Sequence, residues 1–517
     1  MKTNQNQLFA TKSLDVLLRE MAGEHRLKRV LGPVSLTALG VGAVIGAGIF
    51  VATGAAAHNV AGPALMLSYV VAGLTCIFAA LCYAEFASMA PVAGSAYTYA
   101  YTTMGELFAW IIGWDLVLEY AVGAATVANG WSGYFQSVMS KAGIKLSPLL
   151  TSSPYIYQDG RFVRTESLIN LPAVIIVAIV TAVLVKGISE SAGFNALMVF
   201  IKVAAVVFVI LVGAFYIKPE NWTPFAPYGM SGLSFFGIPV MGQTNAGGEP
   251  VGMLAGAAII FFAYIGFDSV STHAEEARNP QRDVPIGIVA SLVLCTVLYI
   301  AVVAVLTGMV KYDQIDVNAG VSSAFKHAGL PWAEVIIATA GVAGITSVLL
   351  VMMLSAPRVF LAMARDGLVP KAFFAEVHPK FQTPWKSTIL IGVFVAVLAG
   401  MLPIDALLHL TNIGTLFAFV IVCAAVLIMR QTNPQAARPF RCPMVPLIPI
   451  LGILTCLLLM FSLPAANWWR LFAWLGIGVC IYFFYGRHHS ILGQELRREI
   501  ASHGASPAGM LSDETKT

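Results

Sequence analysis

The sequence predicts an all-α polytopic membrane protein of about twelve helices, on three observations. Of 517 residues, 58% are hydrophobic and only 11% charged, against about 25% charged in ordinary soluble domains, and mean hydropathy is +0.80. The apolar residues gather in runs long enough to cross a ~30 Å hydrocarbon layer at ~1.5 Å per residue. Two of those runs are interrupted near their middle. Residues 38–50 contain Gly40, Gly42, Gly46 and Gly48, and residues 259–268 contain Gly266 and the ionisable Asp268.

Residues 1–32 form a charged N-terminal segment with Leu14, Leu17, Leu18 and Met21 at roughly helical spacing. They read as either an amphipathic helix on the membrane surface or a solvated tail. They hold no short apolar core with a small-residue cleavage site, so no signal peptide is expected. Spans are then expected at approximately 34–57, 63–90, 106–138, 168–186, 194–217, 251–275, 285–310, 333–363, 387–403, 406–429, 444–463 and 469–485. Those longer than ~25 residues must tilt or project from the bilayer.

With the N-terminus inside, about 21 of the Lys and Arg residues fall on the cytoplasmic side and about 8 outside, so both termini are expected in the cytoplasm. The larger outer segments, 141–167 and 218–250, are rich in Pro, Gly, Ser and Asn and read as turns and short surface helices. Inside, residues 274–287 are dense in charge and turn formers and read as a short structured link. Beyond Gly486 the tail is polar and reads as mobile. The seven cysteines lie in or beside apolar spans without metal-type spacing and read as buried thiols. No Ser-His-Asp set, metal cluster or nucleotide loop is found, so neither an enzyme nor a cofactor or nucleic acid partner is expected.

Each glycine in the first run weakens a helix by ~1 kcal/mol relative to Ala. Loosened backbone is tolerated in hydrocarbon only where its polar groups face protein, ligand or a water-filled cavity. Gly42 and Gly46 also form a GxxxG, which fits close helix packing. A dinucleotide-binding loop is excluded by the spacing and by the absence of a strand-loop-helix context. Paired interruptions instead point to a binding site between internal repeats.

Direction adds chemistry. The outer half of span one begins near mid-membrane, exposing the amides of Ala47, Gly48 and Ile49 at the positive end of a helix dipole, a site suited to a carboxylate. Span six runs the other way and ends its outer half with free carbonyls near Phe262, Ala263 and Ile265. With the carbonyl of Val44, these suit an ammonium group. Carboxylate at one break and ammonium at the other describe an α-amino acid held by backbone.

The stretches Gly42-Ala-Val-Ile-Gly-Ala-Gly-Ile-Phe50, Phe261-Phe-Ala-Tyr-Ile-Gly-Phe-Asp268 and 275–287 resemble signatures of the amino acid–polyamine–organocation transporters. Gly113-Trp-Asp-Leu-Val-Leu-Glu-Tyr-Ala-Val-Gly-Ala-Ala125, Ala356-Pro-Arg358 and His378-Pro-Lys-Phe-Gln-Thr-Pro384 are similar to its cationic-amino-acid-transporter branch. The likeness runs from about Val34 to Tyr485. It implies a five-plus-five inverted repeat, over 33–217 and 218–430, with two appended helices at 431–486 and a cytoplasmic tail at 487–517. It also implies a substrate site at Val44, Ile45, Gly46, Ala47, Gly48, Phe262, Ala263, Ile265 and Asp268. The Phe262 ring would be its outer gate. Position 47 is Ala where many relatives carry Ser or Thr, so the carboxylate must rely on amides.

An intramembrane charge costs roughly 2.5–3.5 kcal/mol even on permissive scales and marks function by default. Lys202 lies about nine residues into span five. Snorkelling is one reading; the resemblance implies another, that its ammonium replaces the ion of sodium-coupled relatives and marks proton coupling. Glu119 and Asp268 are candidates for a proton relay, for holding a cationic side chain or for anchoring two helices, with Asp115, nearer the inner end, the weaker functional candidate. Glu85 reads as structural, and Thr346 and Ser347 either line the lysine head's cavity or bond their own helix backbone, as hydroxyls in membrane helices more often do. The expected protein is therefore an amino acid permease of the inner or plasma membrane, working by alternating access with proton symport. Its partners would be an amino acid, cationic or not, protons and the bilayer. An exchanger is the alternative; a channel or sensor fits the paired breaks less well.

Overall fold

The structure, a computed structural model, describes residues 7–13, 31–90, 94–158, 161–187, 191–236, 238–274, 277–317, 320–381 and 383–504. The apolar positions Leu14, Leu17, Leu18 and Met21 lie outside these residues. Helix α1 (Pro33–Val44) stops at a break over 45–47, and helix α2 (48–61) follows in mixed π and α geometry. Gly62 then takes φ 61°, open to glycine but costly for residues with a Cβ. Pro63 restarts the chain as α3 (Leu65–Met89). Thr53 Oγ1 and Tyr69 Oη meet at 2.7 Å although only 16 residues separate them, so α2 and α3 run antiparallel.

Next come α4 (Ser95–Thr103), α5 (Glu106–Lys141), α6 (Leu171–Lys186) and α7 (Ser191–Gly213). The second interrupted run consists of α8 (Met253–Ile260), a 3-10 turn at Phe261–Tyr264, an irregular link and α9 (Ser269–Thr272). It is followed by α10 (Pro280–Met309), α11 (Gly320–His327), α12 (Pro331–Arg365), α13 (Trp385–Met401), α14 (Ile404–Thr432), α15 (Leu447–Met460), α16 (Ala465–Ile481) and α17 (Ile491–Gly504). Eight helical runs are long and apolar enough to cross a bilayer. The first of these, Pro33–Met89, folds back at Gly62 and holds two crossings. Adding the shorter apolar helices α6, α13 and α15 brings the apolar helical segments to twelve among the described residues. Both interruptions expected from the glycines are present.

Helices α5 and α12 pack along each other, α10 packs on α3 and α1, and α14 bridges α5 and α15. The broken helices pack into this frame, α1 on α10, α7 and α12, and α8 on α3. Small residues let the backbones close up: a Cβ on Gly341 would run into the Tyr134 ring, and one on Gly113 into Tyr97 and Met363. Glu85 of α3 is 1% exposed and accepts from Arg430 Nε (3.0 Å) and Nη2 (2.7 Å), from Arg438 Nε (3.2 Å) and from the Cys442 amide (2.7 Å). It ties α3 to α14 and the following loop, the structural part foreseen for it.

The structure differs from expectation in six places. Residues 95–103 form a wholly buried helix, and 320–327 form another that is buried through Phe325; neither was foreseen. The outer loops carry three short antiparallel hairpins, β1–β2 (Tyr155–Gln158, Arg161–Arg164), β3–β4 (Leu233–Phe235, Ile238–Met241) and β5–β6 (Gln243–Thr244, Pro250–Val251), alongside 3-10 turns. The link 274–287 is in part helix, because α10 starts at Pro280, where proline's fixed φ suits a first turn. The tail is ordered through α17, whose start docks on α12: the Ile491 amide donates to Asp366 O at 3.0 Å. Six cysteines are buried, whereas Cys480 is exposed on α16.

Candidate functional site

The break in α1 has a local cause. Ile45 leaves helical geometry at φ −72°, ψ 103°, and Gly46 follows with no Cβ, where one would overlap the Val348 side chain of α12. The first backbone bond of the resumed helix runs from Phe50 N to Gly46 O (3.2 Å). The amides of Ala47, Gly48 and Ile49 therefore lie ahead of it, at the positive end of α2. A Cβ on Gly48 would fall on the Cα of Ala263. Gly48 is thus the point where the two broken helices touch backbone to backbone, which the sequence reading had treated only as room for a carboxylate.

The other face of the break belongs to Lys202. Its ammonium, fully buried on α7, donates to Ile45 O (3.0 Å), to Gly42 O and to Ser347 Oγ of α12 (2.8 Å). A helix C-terminus leaves carbonyls unpaired and carries partial negative charge, and the lysine answers both. Three acceptors and complete burial rule out snorkelling. Thr346 is turned elsewhere, accepting from Trp131 Nε1 at 2.9 Å and donating to Val342 O.

In the second break Gly266 takes φ 118°, where a side chain would be strained and would also press on Ala43. Its amide donates to Asp268 Oδ1 (3.2 Å), while Tyr120 Oη of α5 donates to Asp268 Oδ2 at 2.5 Å. Both oxygens of Asp268 are therefore engaged. The Phe262 carbonyl accepts from the Ile265 amide at 3.2 Å, and Phe262 itself is 3% exposed. The Val44 and Ala263 carbonyls share one neighbour, Tyr299 Oη of α10, at 2.8 and 3.1 Å. One hydroxyl proton cannot serve both at once. Asn412 of α14 donates to Ala258 O and Ile259 O, both at 2.9 Å, and so holds the last turn of α8.

The structure thus gathers Val44, Ile45, Gly46, Ala47, Gly48, Phe262, Ala263, Ile265 and Asp268 around one pair of touching breaks, all buried. Lys202 stands behind them. Glu119 lies one residue from Tyr120 and faces α14 rather than the breaks. No group of His, Cys, Asp and Glu suited to a metal ion occurs among the described residues.

The sequence that builds these paired breaks matches a known family. The amino acid permease profile covers residues 31–484. The chain belongs to the amino acid permease family. Two proteins of Bacillus subtilis (strain 168) align over 95% of this chain and 100% of their own: the branched-chain amino acid permease BcaP, 47% identical, and a methylthioribose transporter, 42% identical. The vacuolar cationic amino acid transporter 4 of Arabidopsis thaliana is 39% identical over 83% of this chain and 68% of its own. The permease is therefore a membrane transporter and not an enzyme, as the sequence reading expected.

Sequence reading missed Tyr299, Tyr120 and Asn412 in the permease. Each is one polar residue among several on its helix, with nothing in its own stretch to single it out. Its partner is a carbonyl or carboxylate some 150 to 255 positions away, and spacing carries no trace of such pairs. The one usable signal was that a buried Tyr hydroxyl or Asn amide in a membrane helix must find an acceptor.

Proposed function

We propose that this permease is a proton-coupled symporter of neutral α-amino acids, working by alternating access in the plasma membrane with both termini in the cytoplasm. The observation that carries the coupling is the Lys202 ammonium. It holds α1 to α7 and α12 by charge-assisted bonds to Gly42 O, Ile45 O and Ser347 Oγ. Those bonds weaken when the ammonium loses its proton. Deprotonation would free the inner half of α1 to move, while protonation would lock it.

Substrate would be held by backbone. The carboxylate takes the amides of Ala47 and Gly48; the ammonium takes carbonyls at Val44, Phe262, Ala263 and Ile265, displacing the Tyr299 hydroxyl from two of them. The Phe262 ring covers the outer side as a gate. Neutral rather than cationic substrates are favoured because Asp268, the carboxylate next to the breaks, has both oxygens engaged. Beside these engaged polar groups, Ile45, Val348 and Phe262 give the breaks apolar side chains, and the 47%-identical relative is a branched-chain amino acid permease. Spans one to five and six to ten would form the inverted repeats that rock around this centre, and the excess of Lys and Arg on the side of the termini favours its cytoplasmic placement.

The test is uptake into proteoliposomes with an empty lumen. The wild type should concentrate leucine, isoleucine or valine under an inward proton gradient and be indifferent to sodium. Lys202→Met should keep substrate binding and lose gradient-driven accumulation. Uptake that requires a preloaded amino acid would establish exchange instead, and accumulation by Lys202→Met would remove the lysine from coupling.

A further inference from the structure

The segment between α7 and α8 carries an exposed apolar hairpin. Residues 221–248 hold no Asp, Glu, Lys, Arg or His. Within them β3–β4 exposes Phe235, Phe236, Ile238, Val240 and Met241; Ile238 and Val240 are each 70% exposed. A half-buried antiparallel strand turns polar residues outward, yet both faces of β4, Ile-Pro-Val-Met, are apolar and open. Five crossings, by α1–α2, α3, α5, α6 and α7, precede the hairpin, so it lies on the side opposite the chain ends.

Its height is fixed by what holds it. A lone two-stranded hairpin is marginal, and this one is fastened through Ser234. The Ser234 amide donates to Phe461 O (2.8 Å), and its hydroxyl lies 2.9 and 3.1 Å from Phe461 O and Leu463 O, in the turn between α15 and α16. Phe236 takes φ 47°, unfavourable for a bulky side chain, and so brings its ring to Trp468 (4.7 Å between centroids) and Phe461 (6.0 Å). Phe235 stacks on Phe461 at 5.3 Å. Helix α16 is apolar, belongs to a run of membrane-crossing length and exposes Trp469, Phe472 and Ile477. Exposed apolar groups on such a helix face hydrocarbon, and tryptophans at its end mark the headgroup level. Through Phe235 and Phe236, β4 continues that lipid-facing surface.

The same segment is tied to both broken helices. Gly229 O and Ser231 O accept from the amides of Met253 and Leu254 (both 3.1 Å), which the first turn of α8 leaves unpaired. The Gly232 amide donates to Met241 O (3.2 Å) and joins β4 to this cap. The Gly252 amide donates to Val60 O in the last turn of α2 (2.9 Å). Gly252 takes φ 135°, and a Cβ there would run into Ser231 O, so only glycine permits this approach.

We infer that the β3–β4 hairpin is a strap seated in the headgroup–acyl boundary of the bilayer, and that it restrains the ends of α8 and α2 on that side. Lipid is the occupant of its apolar face, because that face is uncharged, continuous with the exposed face of α16 and set beside the tryptophans of α16. A rocking α8 must therefore drag the hairpin along the membrane surface. The strap depends neither on the substrate nor on the coupling ion.

The seat is tested with Val240→Cys and with Ala246→Cys, an exposed position in the polar β5–β6 turn. Each is made in a Cys480→Ser background, which leaves the buried thiols, then labelled with a nitroxide and reconstituted in phosphatidylcholine vesicles. Spin relaxation is read with oxygen, which concentrates in the bilayer, and with a water-soluble nickel chelate. Oxygen should be the stronger relaxant at position 240 and the nickel chelate at position 246. Nickel dominating at both would place the hairpin in water. Shielding from both reagents at position 240 would place it against protein, a second copy included. Either result overturns the seat. The restraint is read by hydrogen–deuterium exchange in lipid nanodiscs. Ile238→Asp combined with Val240→Asp alters exposed side chains alone, and should speed exchange at the Met253 and Leu254 amides while peptides of α5 and α12 exchange as in the wild type. Unchanged exchange at Met253 and Leu254 overturns the strap, and so does faster exchange throughout, which would be a general loss of stability.

Discussion

At the scale of single residues, the two breaks are set by what is missing at one position and present at another. Gly48 has no side chain because Ala263 occupies that place. Gly48→Val should therefore push α2 from α8 at a cost of about 1–3 kcal/mol, seen as a lower melting temperature together with lost leucine uptake. Normal uptake and melting in that variant would mean the helices part easily. Tyr299 is the opposite case, a hydroxyl placed between two carbonyls that the substrate ammonium also wants. Tyr299→Phe leaves both acceptors without that donor, costing about 1–3 kcal/mol in the substrate-free protein. Because an ammonium then gains more by binding, saturating leucine should stabilise the variant more than the wild type. A thermal-shift titration reads both effects, and equal leucine-induced shifts would show that the hydroxyl and the ammonium do not compete.

At the scale of elements, helices whose stability comes from contact with hydrocarbon were readable, because length and apolarity are properties of one stretch of chain. Both broken runs were readable for the same reason: glycines and Asp268 stand out against leucine and isoleucine. Helix α4 was not. Its sequence Ser-Ala-Tyr-Thr-Tyr-Ala-Tyr-Thr-Thr has no apolar face, and two of its hydroxyls find partners far along the chain, Tyr97 at Asp366 (2.6 Å) and Ser95 at Ser271 (3.0 Å), while Tyr101 reaches Glu106 just beyond the helix (3.0 Å). Around the site, Lys202 was visible as a misplaced charge, but which carbonyls it would meet was not, because that depends on how α1 ends. The same applies to Glu85, whose charge was visible and whose partners come from α14 and the loop after it. Glu85→Ala should strip the buried Arg438 of its counter-charge and cost about 3–5 kcal/mol. That predicts reduced expression and a clearly lower melting temperature, with leucine affinity in the surviving protein near wild type.

At the scale of the whole molecule, the side bearing both chain ends is closed by contacts unrelated to the substrate. Lys12 pairs with Asp366 at 2.8 Å, at the end of α12, and the Lys12 amide donates to Tyr101 O at 3.1 Å. Lys12 is thus fastened to α4 and to the end of α12. Releasing it with Lys12→Ala should favour the state open on that side by roughly 1 kcal/mol, about a fivefold change in population. Faster thiol labelling of Ile45→Cys from the terminal side, in a Cys480→Ser background, would register the shift. An unchanged rate would show that the pair does not hold the gate.

Glu106 lies fully buried beside this pair. It accepts from Gln7 Nε2 (2.9 Å) and Tyr101 Oη (3.0 Å), and also from Tyr482 Oη (2.9 Å) and Ser490 Oγ. Its donors come from nearly the first and nearly the last described residues. During synthesis the carboxylate must wait, since Tyr482 and Ser490 leave the ribosome more than 370 residues after it. This knot can therefore close only once the chain has been made past Ser490. A chain ended after Gly486 would enter the membrane with every apolar helix in place and still lack the Ser490 contact. Such a product should be cleared by membrane proteases faster than the complete chain, which pulse-chase turnover would measure.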